Sequence, residues 1–121
     1  MSVIFCLLLL QIKHYLADFR LQTPQQIATK GKYGNLVGLG HTLEHTLGTT
    51  IVLLPFLWSH PVLLLGCSIF DTLIHYHTDY AKMRYGVKDI SQQKFWWQLG
   101  LDKLVHQLTY VAIASVVVLS A

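Results

Sequence analysis

Two carboxylates and two imidazoles close one long apolar run of this sequence, Asp71-Thr72-Leu73-Ile74-His75-Tyr76-His77-Thr78-Asp79. Asp71, His75 and Asp79 follow one another at intervals of four residues. On a helix this interval places side chains on one face, about 6 Å apart from one to the next. Neutral imidazoles and ionised carboxylates are ligands that suit zinc, manganese or iron. The stretch therefore predicts a helix face that could bind a transition metal.

The same four-residue interval recurs in three other apolar segments. The further pairs are His14 with Asp18, His41 with His45, and Asp102 with His106. One such pair alone is more often a simple hydrogen-bonded pair, but four pairs at one depth favour metal. Nine candidate ligands exceed the four of one structural zinc site, so we expect one or two divalent ions per chain. Zinc is the first choice, with manganese or iron as alternatives, and two or three of the nine could instead orient ligands.

The second segment also matches the H-x-x-E-H pattern of inverted zinc proteases, through His41-Thr42-Leu43-Glu44-His45. Nothing else in the chain resembles a protease. Glu44 is nevertheless a candidate catalytic residue, as a general base. An orienting contact from Glu44 to a ligand histidine is an equal alternative.

Several basic residues lie near the ligand pairs in sequence. Lys30, Lys82 and Arg84 are candidates for binding an anionic substrate group. Lys13 and Lys103 lie within apolar stretches, and we expect both side chains to extend toward the membrane surface. Neutralisation of substrate charge is the alternative role for either one.

Composition indicates a membrane protein. Hydrophobic residues make up 53% of the 121 residues and charged residues 12%, against a usual charged share of about a quarter. The net charge of +3 suits anionic headgroups, and the lack of a dense basic face argues against a nucleic-acid partner. Cys6 and Cys67 both lie in apolar runs, so no disulfide is expected.

The predicted fold is an all-α, integral membrane four-helix bundle with antiparallel up-down topology. One transmembrane domain, 1–121, would contain helices at about 1–21, 36–58, 62–80 and 98–120, each able to span roughly 30 Å of hydrocarbon. The first segment lacks the features of a cleaved signal peptide, so we expect it to be retained. A short surface helix is predicted from Pro24 to Thr29.

Loop charge predicts the orientation of the bundle. The first and third connections are basic, whereas the turn at Ser59-His60-Pro61 contains no lysine or arginine. The positive-inside tendency therefore predicts a multi-pass inner-membrane protein with cytoplasmic long loops and both termini outside. All four ligand pairs then fall at the cytoplasmic end. Of the six acidic residues and seven histidines, only His60 and Asp89 lie elsewhere, and the outer halves of the helices carry no ionisable residue.

Four sequence motifs resemble a family of small bacterial and phage membrane proteins, catalogued as domain of unknown function 3307. The motifs are H-Y-L-A-D-F-R-L-Q at 14–22, G-H-T-L-E-H-T at 40–46, D-T-L-I-H-Y-H-T-D-Y-A-K at 71–82 and L-D-K-L-V-H-Q-L-T-Y at 101–110. This resemblance implies a polytopic membrane protein and brings no established activity. A looser similarity is to small membrane-bound hydrolases predicted to depend on metal.

These observations favour a metal-dependent hydrolase at the cytoplasmic membrane face, acting on a phosphoester or lipid-linked substrate. Its partners would be the lipid bilayer and a small-molecule or lipid substrate. A divalent metal transporter is the alternative, although the apolar outer halves count against it unless a homo-oligomer supplies a second polar path. A non-enzymatic, metal-stabilised membrane subunit is a third hypothesis.

Overall fold

The computed structural model describes residues 3–20 and 22–120, and within these ranges the chain is helical and contains no strand. The elements in order are α1 (Val3–Tyr15), a π-helical turn (Leu16–Arg20), α2 (Pro24–Thr29), α3 (Leu36–Leu57), α4 (Pro61–Tyr85) and α5 (Gln93–Ser120). The predicted all-α class is confirmed. Residues 1, 2 and 21 of the predicted first helix, and residue 121 of the predicted domain, lie outside the described part.

The four long helices enclose a common interior. The helix α1 packs against α3 and α5, and α4 packs against the same two helices, while the short α2 lies on α3. The connection between α3 and α4 is a turn of three residues, 58–60, so these two helices run antiparallel.

Local signals fix where the helices begin. Asn35 caps α3, since its side-chain oxygen accepts the backbone N–H of Val37 at 3.0 Å. Thr23 and Gln26 form a reciprocal capping box around the first turn of α2, with Pro24 at its first position. The predicted short helix from Pro24 to Thr29 is confirmed.

The helices α4 and α5 are longer than predicted at the ends that face each other. The helix α4 continues to Tyr85, because Lys82 and Arg84 in its last turn are favoured beside the carbonyl end of a helix. The helix α5 begins at Gln93, so Trp96 and Trp97 belong to its first turns. The connection shortens to residues 86–92, where the Ser91 hydroxyl and backbone N–H donate to Asp89 and lower the pKa of that carboxyl.

The bundle interior is apolar in one half and polar in the other. The apolar core contains Cys6, Leu10, Leu53, Leu57, Leu64, Cys67, Tyr110, Ile113 and Val117. Among the described residues, 14 buried side chains are polar or charged and 11 are hydrophobic. The interior is thus unusually polar, and large apolar side chains cover much of the outside.

One described helix, α5, is long and apolar enough to cross a membrane. The helix α1 has 13 residues, which is short for a span. The helices α3 and α4 have the length, but each carries ionisable side chains in one half.

Candidate metal centre

The structure brings all nine predicted ligands into one cluster in the polar half of the bundle. They are His14 and Asp18 from α1 and the π-helical turn, His41 and His45 from α3, Asp71, His75 and Asp79 from α4, and Asp102 and His106 from α5. Eight of them are no more than 6% exposed, and the Asp18 side chain is 7% exposed. The four-residue spacing in each segment and the antiparallel order of the helices together produce this common level.

Asp18 is the centre of the first ligand group. Its Oδ1 lies 2.7 Å from His45 Nε2 and 3.1 Å from His41 Nε2. The Nε2 of His75 lies 3.6 Å from the same oxygen, and Oδ2 lies 3.0 Å from His14 Nε2. One carboxylate therefore meets imidazoles from α1, α3 and α4. Ligand atoms of Asp18, His41, His45 and His75 all lie within 4.8 Å of one another.

Four imidazole nitrogens of this group, both those of His41 and both those of His75, are orphaned among the described residues. The Nε2 atoms of His41 and His75 are buried and form no hydrogen bond of acceptable geometry among the described residues, although they lie 3.1 and 3.6 Å from Asp18. A buried polar atom left without a partner costs about 1–3 kcal/mol. A bound divalent cation would take both lone pairs, so the donor set and its orphaned atoms fit a transition metal.

A second ligand group shares His75 with the first. The His75 Nε2 lies 3.1 Å from Asp79 Oδ2, and the His106 Nε2 lies 3.6 Å from Asp79 Oδ1. His106 Nε2 also lies 3.1 Å from Asp102 on its own helix. Atoms of His75, Asp79 and His106 fall within the same 4.8 Å limit. The structure thus offers two adjacent ligand groups.

Three predicted ligands, His14, Asp71 and Asp102, lie beside these two groups rather than in them. A lysine contacts each of these two aspartates, and another lysine contacts Asp79 of the second group. The pairs are Lys13 with Asp71 at 3.1 Å, Lys30 with Asp79 at 3.1 Å, and Lys82 with Asp102 at 3.0 Å. The remaining one is His14, which contacts Asp18. Asp18 is therefore the one aspartate of the cluster with no lysine partner among the described side chains.

Lys13 does not extend toward the surface, and the prediction that it would is wrong. Its residue is 6% exposed, and its Nζ lies 3.1 Å from Asp71, 3.2 Å from His45 Nδ1 and 2.9 Å from the Tyr110 hydroxyl. These acceptors inside the bundle replace the water that the ammonium group would otherwise seek. Lys103 does stay near the rim, with a side chain that is 39% exposed.

Sequence reasoning also missed Tyr110 and Thr49. The Tyr110 hydroxyl lies 2.8 Å from His14 Nδ1, and the Thr49 hydroxyl donates to Asp71. Each lies four residues beyond a ligand histidine, so continuation of the same spacing was the available signal. Both contacts fix the orientation of cluster side chains.

Glu44 lies behind His41. Its Oε2 is 3.7 Å from His41 Nδ1, whereas His41 Nε2 faces Asp18. Gln26 Nε2 donates to the other Glu44 oxygen at 3.2 Å. The 3.7 Å separation is longer than a hydrogen bond, and neither His41 Nδ1 nor Glu44 Oε2 has a hydrogen-bond partner among the described residues. Glu44 thus lies on the side of His41 from which a carboxylate orients a metal-ligating histidine, and both roles considered for it stay predictions.

The three candidate substrate-binding residues differ in position. The Lys30 side chain is 11% exposed and faces Asp79, while that of Lys82 is 26% exposed and reaches Asp102 at the cluster rim. Arg84 lies two residues beyond Lys82 on α4 and is exposed. Lys30 and Lys82 thus join the cluster, and Arg84 lies outside it.

Comparison with known proteins adds a family and no activity. No curated protein and no solved structure matches the chain. A family model does match, described as "Protein of unknown function (DUF3307)", and the match extends over residues 4–121. The chain therefore belongs to the DUF3307 family.

Proposed function

We propose that this protein is a multi-pass membrane protein of the cytoplasmic membrane whose four long helices hold a divalent metal site. We further propose that it is a metal-dependent hydrolase of phosphoester or lipid-linked substrates. Zinc is the metal we favour, with manganese or iron as alternatives.

The outer surface supports membrane insertion. Large apolar side chains on all four long helices are exposed; examples are Ile4 at 75%, Ile51 at 70%, Leu65 at 60% and Leu108 at 57%. Soluble monomers rarely expose apolar patches larger than a few hundred Å². Of the most apolar 18 residues of α5, only 33% are buried, whereas the core helix of a soluble protein is mostly buried.

The surroundings of Asp18 are the observation that carries the metal proposal. Burying a carboxylate requires a compensating positive charge or a full set of hydrogen bonds. The other three aspartates of the cluster have lysine partners. Asp18 faces four imidazoles instead, and those of His14, His41 and His75 have no hydrogen-bond partner at Nε2 among the described residues. A cation shared by Asp18, His41, His45 and His75 would supply the missing charge and satisfy the Nε2 atoms of His41 and His75.

The metal would polarise the scissile group and activate water for its hydrolysis. Tyr110 and Glu44 would orient His14 and His41 through their Nδ1 atoms. Asp79, which faces both His75 and His106, is the carboxylate best placed to accept a proton. Lys82 at the rim would attract an anionic substrate group.

The far half of the bundle favours a hydrolase over a transporter. In the apolar half of the bundle, the interior is filled by Leu10, Leu53, Leu57 and Ile113, each no more than 1% exposed. A transporter needs polar access from both sides of the membrane. A hydrolase needs access from one side only.

Metal analysis of the purified protein tests the site. Elemental analysis should find one or two transition-metal ions per chain, and Asp18→Asn should lose most of them. The exposed Asp89→Asn carries the same chemical change outside the cluster and should keep full occupancy. Full thermal stability and no bound metal in the unaltered protein would favour a purely hydrogen-bonded network instead.

Activity and flux are then measured on the same preparation. We expect metal-dependent turnover in a screen of phosphoesters and lipid esters, and no zinc or manganese flux in proteoliposomes. Flux that disappears with Asp71→Ala would establish the transporter. Bound metal with neither flux nor turnover would favour the non-enzymatic subunit.

A further inference from the structure

A groove runs along the seam between α4 and α5 and ends at the metal cluster. Its volume is about 630 Å³, and apolar side chains such as Leu73, Ile74, Leu101 and Val105 line most of it. Leu73 and Leu101 are 53% and 60% exposed, so the groove opens on the outer face of the bundle. It is therefore accessible from the side that would face lipid.

A second apolar groove lies further along the same seam. It has a volume of about 490 Å³ and is lined by Gly66, Cys67 and Phe70 of α4 and by Ala112 and Val116 of α5, among others. The α4 residues of the two grooves recur at intervals of three or four, from Val62 to Gly86. The seam is thus one stripe of α4, about 35 Å long at 1.5 Å per residue.

The polar end of the seam carries a surplus of positive charge. Lys82 and Asp102 both line the first groove. The Asp102 Oδ2 is shared by Lys82 at 3.0 Å and Lys103 at 3.6 Å. Lys103 does not line the groove, and its Nζ also lies 5.3 Å from the centre of the Phe19 ring, so it adds positive charge beside the end of the groove. Asp102 Oδ1 in turn lies 3.1 Å from His106 Nε2. A negative headgroup bound at this end would lie beside the second ligand group.

From this geometry we infer that the α4–α5 seam binds a single-chain lipid with a phosphate monoester headgroup. The hydrocarbon chain lies along the apolar stripe, and the phosphate contacts Lys82 at the cluster rim, with Lys103 beside it. The two grooves follow a single stripe of α4, which matches one hydrocarbon chain. This inference rests on the proposed function and gives its substrate class.

Photolabelling tests where the chain binds. The probe is a phosphonate analogue of lysophosphatidic acid with a diazirine in its acyl chain, added to the purified protein in phosphatidylcholine nanodiscs without metal chelation. Cross-links mapped by mass spectrometry should concentrate on the residues of the two grooves, within 62–86 and 98–116. Unlabelled lysophosphatidic acid should compete, and a monoacylglycerol of the same chain length should not. Labelling spread over all exposed helix faces, or equal competition by the neutral lipid, would overturn the inference.

Two matched pairs of variants test the chain and the headgroup separately. Val105→Trp fills the groove and should abolish seam labelling, whereas Leu104→Trp adds the same bulk beside it and should not. Lys82→Gln should weaken labelling about tenfold, the scale of one lost charge-assisted hydrogen bond, and the exposed Lys88→Gln should leave it unchanged. Retained labelling in Val105→Trp contradicts the inference even if Lys82→Gln does not fold.

Binding and hydrolysis fail in distinguishable ways. Because the phosphorus–carbon bond of the probe is not cleaved by phosphoester hydrolysis, the labelling does not depend on turnover. Seam labelling without any hydrolysis of lysophosphatidic acid by the metal-loaded protein would refute the hydrolase and leave the lipid site standing. Hydrolysis of water-soluble phosphoesters without seam labelling would refute the lipid site and support the hydrolase.

Discussion

The Lys13 ammonium nitrogen lies 3.1 Å from the Asp71 carboxylate, and the two side chains are 5% and 1% exposed. The pair joins α1 to α4 and lies where the polar cluster meets the apolar half of the bundle. Lys13 also donates to the Tyr110 hydroxyl, and the Thr49 hydroxyl donates to Asp71. A charge pair held this far from water is costly to break and less costly to replace as a whole.

Lys13→Met should therefore lower the free energy of unfolding by about 3–5 kcal/mol, because it leaves the Asp71 carboxylate buried and unpaired. The double variant with Asp71→Asn should recover much of that loss. Thermal unfolding in detergent measures both, with the exposed Lys88→Met as the control. A double variant no more stable than Lys13→Met would show that Asp71 does not depend on Lys13.

His75 belongs to both ligand groups, so His75→Ala should reduce bound metal and thermal stability more than His106→Ala does. Asp79→Ala should reduce both as well, since ligation couples to folding. Elemental analysis and thermal unfolding on one preparation give the two quantities. His60→Ala, in the exposed turn before α4, is the matched control. A fall in stability without any loss of metal would assign His75 to packing alone.

Glu44→Gln distinguishes the two roles considered for Glu44. Because Glu44 contacts the Nδ1 of His41, we expect metal affinity to fall about 10–100-fold, the usual effect of losing an orienting partner. Competition with a metal-binding dye measures the affinity. Unchanged affinity with turnover reduced by about a hundredfold or more would instead assign Glu44 as general base.

Single cysteines test the orientation predicted from loop charge. Cysteines at Lys32 or Lys88 should resist a membrane-impermeant thiol reagent in intact cells, and one at Ser59 should react. All three positions are exposed in the bundle, and the native Cys6 and Cys67 are buried. The opposite labelling pattern would place the candidate metal centre on the outer face.

Spacing alone predicted which residues form the candidate centre. Two residues four positions apart share one face of a helix, however that helix packs against the others. It could not show which carboxylate lacks a lysine partner. That depends on contacts such as Lys30 with Asp79 and Lys13 with Asp71, across 49 and 58 residues. The position of the Lys13 side chain was predicted wrongly, because a lysine near the end of an apolar run ordinarily extends its ammonium group into water. The helix bounds were best predicted where a cap residue exists, as at Asn35 and Thr23.

The π-helical turn at Leu16–Arg20 makes a deletion unusually informative. A π-turn holds one residue more than an α-helical turn, and one residue corresponds to about 100° of rotation around the axis. Removing Leu16 would let α1 continue as a regular α-helix, and Asp18 would then project at a different angle relative to the preceding helix. We expect the shortened chain to have a more regular first helix and to bind less metal. The π-helical turn is therefore a position at which stability of the fold and metal binding favour different backbone conformations.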